Sequence, residues 1–266
     1  MPAKIRLEQF INIIRFASNS NNQRVLIQKI FAKVKNLRGS EASHAEKWAK
    51  ANMTNLDGWL ESLDSALWQS SVSESEKIRN TSLPTISKLK SQGIELGGGG
   101  SLELIYFWTR RIKPDFVLET GVAAGWSSYA FLNALKANGN GKLLSSDFPY
   151  FRIKNPEKYI GILVPHELRS CNWQVEINGD DLNLPKLLNS ETKLQLIHYD
   201  SDKRKSGRVR FLSKIELYLD EDYVLIMDDI QNDLAFKEYV EKMNCTFRVI
   251  SSEDKYVGVA LFGTYQ

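Results

Sequence analysis

The stretch Asp115-Phe116-Val117-Leu118-Glu119-Thr120-Gly121-Val122-Ala123-Ala124-Gly125-Trp126-Ser127-Ser128 decides how the rest of the chain is read. Phe116-Val117-Leu118 is a short apolar strand, two glycines bracket a tight loop, and residues 126–137 have the apolar spacing of a helix. Downstream the alternation repeats. Lys142–Ser145, Trp173–Ile177, Leu194–His198 and Tyr223–Met227 read as strands, and residues 182–189, 207–219 and 234–243 as the helices between them. Short buried strands alternating with helices imply a doubly wound α/β fold, a parallel sheet covered on both faces. The chain ends differently. Thr246–Ile250 and Tyr256–Phe262 are two strands separated only by the turn-prone residues 251–255. A parallel crossover needs a dozen or more residues, so these two must form an antiparallel hairpin.

Upstream of this unit the pattern is helical. Phe10, Ile13, Ile14 and Ala17 recur at helical spacing, as do Leu26, Ile27, Ile30, Phe31 and Val34, and then Trp59, Leu60, Leu63, Leu67 and Trp68. Residues 1–96 are therefore expected to be a helical cap or dimerisation region, and residues 97–266 the α/β domain. The three apolar stripes suggest a homodimer. At the boundary stands Gly97-Gly98-Gly99-Gly100, read either as a linker or as a flap whose bare backbone approaches a ligand. Ser101 follows as a helix cap, with Leu102, Ile105, Tyr106 and Trp108 on the buried side.

Composition narrows the class of function. With 42% hydrophobic and 25% charged residues in 266, the chain has the make-up of a soluble globular protein. No apolar run reaches the ~18 residues of a membrane span, and Met1–Arg6 lacks the layout of a secretory signal, so the expected location is cytoplasmic. Cys171 and Cys245 are too few for a disulfide framework or a zinc site and are read as buried thiols. The net charge of +3 argues against nucleic-acid binding, although the first 60 residues hold ten Lys or Arg against four acids.

The loop chemistry points to a ligand. Gly121 and Gly125 lie at the carboxyl edge of a parallel sheet, where such folds bind small molecules. Their spacing is GxxxG, not the GxGxxG that cradles a pyrophosphate, which favours an amino-acid tail joined to a nucleoside over a dinucleotide. Glu119-Thr120-Gly121 followed by Gly125-Trp126-Ser127, together with the terminal hairpin, resembles the class I S-adenosylmethionine-dependent methyltransferases. Within that class it is most similar to the catechol O-methyltransferase-like group, over residues 94–262. The resemblance implies a Rossmann-like methyltransferase sheet ending in an antiparallel hairpin. It also implies that Glu119, Gly121, Gly125 and Ser127 hold the methionine part of the cofactor, Asp147 the ribose hydroxyls and Asp180 the adenine amino group. From the residues alone, an aspartate at a strand-to-helix turn, as at Asp147, Asp180 and Asp181, is alternatively read as a helix N-cap.

A second constellation is His198-Tyr199-Asp200-Ser201-Asp202-Lys203 with Met227-Asp228-Asp229. Both segments end strands at one sheet edge, and carboxylates converging there require protons or a hard cation such as Mg²⁺ or Ca²⁺. The resemblance implies a Mg²⁺ site at Asp200, Asp228 and Asp229, with Asp200 also at the cofactor, and Lys203 as general base. His198 is a further catalytic candidate, and His166 a weaker one. The expected reaction is O-methylation of a small-molecule hydroxyl, on a sugar or secondary metabolite, by in-line displacement. Tyr150, Phe151 and Trp126 are candidates for the substrate pocket. Arg204, Lys205, Arg208 and Arg210 could bind an anionic substrate or form a solvated helix face. The competing readings are an NAD-dependent oxidoreductase and a non-catalytic interaction module on the same fold.

Overall fold

A computed structural model describes residues 12–14, 40–150, 152–169, 172–252 and 255–266. The apolar stripes at residues 10–17 and 26–34, Phe151 and Cys171 are thus wholly or mainly outside the described residues. Seven strands form one sheet: β1 (Phe116–Thr120), β2 (Lys142–Ser146), β3 (Trp173–Glu176), β4 (Leu194–Tyr199), β5 (Leu219–Met227), β6 (Thr246–Ser252) and β7 (Lys255–Leu261). Their order is β3-β2-β1-β4-β5-β7-β6. The first five are parallel, and β7 runs antiparallel between β5 and β6. The expected hairpin is present, and its second strand, not its first, docks on the parallel sheet.

The chain winds outward in opposite directions from β1 and β4, which leaves a crevice at their carboxyl ends where ligands of open α/β sheets bind. Strand periodicity builds both cores. Val117, Leu143, Leu196 and Val224 face one side, and their neighbours Leu118, Leu144, Ile197 and Leu225 face the other. The first side is covered by α2 (Leu56–Leu63), α3 (Ser65–Ser91), α4 (Leu102–Ile112) and α5 (Trp126–Asn138). The second is covered by α7 (Asp180–Leu187), α8 (Lys205–Ile215), α9 (Ala235–Met243) and α1 (Ser40–Ala51); α6 (His166–Arg169) is a single turn.

The described helices from residue 40 to residue 91 share the cores of the α/β unit, α3 through its packing on α4 and α5. Trp59 and Trp68 share one core with Phe107, Trp108 and Phe131. On the opposite face, Trp48 of α1 stacks on Phe247 with centroids 5.4 Å apart, and the Thr54 amide donates to the Val249 carbonyl at 2.7 Å. The expected change at residues 96 and 97 is therefore one of pattern, from helices to strand–helix alternation, within a shared core.

Three local readings need correction. Ser101 stands at the N-cap of α4 but its side chain makes no capping bond, and it lines a cavity instead. The helix expected to reach residue 219 stops at Ile215, and Leu219 pairs with Leu194 at the start of β5, ahead of a shift in register. The helix expected over 182–189 begins at Asp180, whose charge and that of Asp181 suit the positive end of the helix dipole.

Among the described residues no helix is long and apolar enough to cross a membrane; α3, at 27 residues, is too polar. Phe107, with no exposed surface, meets Trp68 and Trp108 edge-on at 6.4 and 5.8 Å and ties α3 to α4. Phe107→Ala should cost about 3–5 kcal/mol in urea unfolding. A loss under about 1 kcal/mol would contradict that role.

Candidate active site at the carboxyl edge of the sheet

A cavity of about 670 Å³ opens at the carboxyl ends of β1, β2, β4 and β5, within the range of roughly 300–1,000 Å³ usual for small organic ligands. Residues 97–100 form its roof. Gly99 packs against the Trp126 indole, and a Cβ placed there would lie 3.4 Å from the ring. A Cβ at Gly97 would lie 3.6 Å from the Tyr150 hydroxyl, which in turn donates to the Leu96 carbonyl at 3.4 Å. The run is thus a strap over the cavity rather than a spacer, and Trp126 and Tyr150 line the cavity as expected. His166 lies in α6, away from the lining.

One end of the cavity is built by the first loop. Glu119 is completely buried and accepts hydrogen bonds from Ser127 (2.5 Å), Ser128 (2.7 Å) and Ser145 (2.7 Å). It does not line the cavity; it holds the start of α5 and the end of β2 beneath it. Ser127 does line the cavity, as does Gly121. The glycines serve backbone packing: a Cβ at Gly121, whose φ is +90°, would lie 2.5 Å from the Asp200 carbonyl oxygen. One at Gly125, φ +94°, would lie 2.7 Å from the Gly161 Cα.

Asp147 turns its carboxylate back across this loop, accepting the Ala123 amide at 2.9 Å and the Phe148 amide at 2.7 Å. Asp180 accepts from Ser146 (2.6 Å) and Ser201 (2.5 Å). Neither acid is an N-cap: Gly179 caps α7, and Asp147 sits in a loop. Both line the cavity. Asn183, a residue the motif reading did not single out, donates to the Ser146 hydroxyl, the Asp147 carbonyl and the Glu176 carbonyl and fixes this corner. Asp181 pairs with Lys214 and Arg210. Although partial burial alone would raise its carboxyl, these cations hold it below the usual range.

The other end gathers the second constellation. Lys203 bridges Asp200 and Asp229, with its ammonium 2.5 Å from the Asp229 carboxylate. Lys255, on the edge of the hairpin, lies 3.7 Å from the same carboxylate. Asp228 faces His198 Nε2 at 3.4 Å, and His198 is buried against Phe131 with its Nδ1 unpartnered among the described residues. Desolvation by the surrounding protein lowers the Lys203 ammonium from its ordinary value, against the pull of Asp229 and Asp228. Desolvation would raise Asp228, but His198, Lys203 and Lys255 outweigh it and hold the carboxyl low.

Of the basic run after Lys203, Arg208 fits neither reading. It is fully buried, lies 3.4 Å from Asp233 and donates to the Asp229 carbonyl at 2.9 Å, supporting the left-handed backbone of Asp229 (φ 56°). Arg204 pairs with Asp202, Lys205 with Glu41 and Glu238, and Arg210 with Asp181.

The expected Mg²⁺ does not suit this arrangement. Asp200 and Asp229 are drawn onto an ammonium and Asp228 onto an imidazole. Among the described residues no three His, Cys, Asp or Glu side chains converge as a metal cage. A nucleoside with an amino-acid tail does suit the first end, where Asp147, Asp180 and the Gly121–Ala123 backbone line the cavity.

The sheet order, with its inserted antiparallel strand, and the site at the β1/β4 crevice define the fold of the class I methyltransferases. In sequence, residues 118–230 match the family model described as a methyltransferase domain. In structure the chain is similar to a candidate caffeoyl-CoA O-methyltransferase from Staphylococcus aureus, with TM-score 0.54, 13% identity, and coverage of 72% of this chain and 97% of that one. It is also similar to a candidate O-methyltransferase from Klebsiella pneumoniae, with TM-score 0.51, 13% identity, and coverage of 79% and 96%. A third likeness is to cofactor-bound Rv0187 from MTB, with TM-score 0.51, 13% identity, and coverage of 79% and 98%. No curated protein matches the sequence.

The hydroxyl cage of Glu119 makes its own prediction. Glu119→Gln replaces an acceptor by a donor facing a serine, which should cost about 1–3 kcal/mol of stability by urea unfolding. An unchanged midpoint would show that the three hydroxyls do not depend on the carboxylate.

Proposed function

We propose that the protein transfers the methyl group of S-adenosylmethionine to a hydroxyl oxygen of a small molecule. The observation that carries this reading is the continuity of the cavity: acids fit for a nucleoside at one end and a polar acceptor end at the other, under one strap. The methyltransferase-domain match over residues 118–230 supports it.

In this reading the Asp147 carboxylate accepts from the two ribose hydroxyls, a task suited to a group with several lone pairs on two oxygens. Asp180 receives the adenine amino group. The Gly121–Ala123 backbone and Ser127 hold the methionine part, and Glu119 keeps that loop in shape from below. When bound, the cofactor supplies an electrophilic sulfonium methyl, whose S–C bond breaks as the O–C bond to the acceptor forms. At the acceptor end Lys203 donates to the acceptor oxygen and orients it. The hydroxyl proton passes to the paired Asp228 and His198 side chains. The strap over Trp126 excludes water from the reacting atoms. Magnesium has no part in this mechanism, because the acids that would ligate it are already engaged by lysine and histidine.

The described apolar wall of the acceptor end includes Leu104, Ile105, Trp126 and Val257, which suits a small organic acceptor that is apolar apart from its hydroxyl. We further assign self-association to the apolar stripes at residues 10–17 and 26–34. A single-chain mass in sedimentation equilibrium would contradict that assignment.

The activity is tested by following tritiated methyl from S-adenosylmethionine into a panel of phenols, sugars and polyols, with S-adenosylhomocysteine as co-product. Asp147→Asn, which loses part of the diol's acceptor, should raise KM for S-adenosylmethionine at least about tenfold, or ~1.4 kcal/mol, while kcat falls less. An unchanged KM would contradict the ribose role of Asp147.

A further inference from the structure

We propose that Lys203 is a built-in counter-cation that occupies the place the resemblance assigns to a divalent metal, so that the Asp200–Asp228–Asp229 cluster binds no such ion. The Lys203 ammonium sits between Asp200 and Asp229, 2.5 Å from the latter. The second oxygen of Asp229 faces Lys255 at 3.7 Å, and Asp228 faces His198 at 3.4 Å. Each carboxylate therefore has a cationic or imidazole partner before any ion arrives. Mg²⁺ demands nearly octahedral oxygen ligands at about 2.0–2.1 Å, and an ammonium among those ligands repels it and occupies its volume.

The loop holds the Lys203 backbone beside the acid cluster. Lys203 lies three residues after Asp200, in a segment tied down along its length. Ser201 donates to Asp180 at 2.5 Å, the Tyr199 hydroxyl donates to the Asp202 carbonyl at 3.1 Å, and the Arg204 amide donates to the Asp202 carboxylate at 3.1 Å. Below it the Asp200 carbonyl packs so closely on Gly121 that a Cβ there would stand 2.5 Å away. On the opposite side Arg208 pins the Asp229 backbone at 2.9 Å. Both walls of the acid cluster are thus fixed at a spacing that an ammonium fills. An acceptor oxygen entering this end meets a hydrogen-bond donor, not a coordination bond.

The inference concerns cation binding alone and stands or falls separately from the identity of the methyl acceptor. It is tested by titrating Mn²⁺ into the chelator-treated protein and following the free-ion electron paramagnetic resonance signal. The wild type should show no saturable binding up to about millimolar Mn²⁺, weaker than typical oxygen-ligand sites. Lys203→Met, which leaves the carboxylates uncompensated, should gain affinity at least tenfold, and Lys203→Arg, which keeps the charge, should not. Circular dichroism establishes that each variant is folded. Saturable Mn²⁺ binding by the wild type that is lost in Asp228→Asn would overturn the proposal. So would a folded Lys203→Met that remains as indifferent to Mn²⁺ as the wild type.

Discussion

Negative charge crowded at one edge of the sheet is the constraint around which this molecule is arranged. Glu119 lies near the end of β1, and Asp147, Asp200 and Asp228 directly follow β2, β4 and β5. Parallel strands bring these ends together, and carboxylates at such spacing are tolerated only when each is given a partner. Each receives a different one. Glu119 has three serine hydroxyls, Asp147 two backbone amides, Asp200 an ammonium and Asp228 an imidazole. At the Asp200–Asp228–Asp229 end those partners include the Lys203 ammonium and the His198 imidazole.

The fold makes that division possible. Because winding reverses at β1 and β4, no crossover helix covers their carboxyl ends, and the first loop and the Asp200–Lys203 segment approach each other across the gap. Gly121 is the contact point between them, and its missing side chain lets the two backbones meet. Gly97–Gly100 then close the space from above, bearing on Trp126 and Tyr150. Helices α2 and α3 lead into this strap, and because their tryptophans belong to the same core as β1, the roof is anchored to the sheet it covers.

Much of this was legible in the chain. Short apolar runs alternating with helix spacing point to five parallel strands, and the short link between residues 250 and 256 forces the hairpin. Residues fixed by their own segment were legible too: Gly121, Asp147, Asp180, His198, Asp200, Lys203 and Asp228 all line the cavity. What escaped depends on partners far apart in sequence. Nothing around Glu119 says that Ser145, 26 residues away, will close its third hydrogen bond and turn it away from the cavity. Arg208 reads as one more basic residue on a helix face, and only the packing of α8 against Asp229 and Asp233 buries it. The acid cluster resembled a metal site because the sequence shows carboxylates but not where the Lys203 and Lys255 ammonium groups fall between them.

The first end of the cavity, as proposed above, takes the adenosyl and amino-acid parts of one ligand. Titration calorimetry of S-adenosylhomocysteine and of NAD⁺ into the same protein separates this reading from the alternatives most directly. One S-adenosylhomocysteine should bind per chain at micromolar concentration, with no heat from NAD⁺. Binding of NAD⁺ in its place, or of neither ligand, would contradict it.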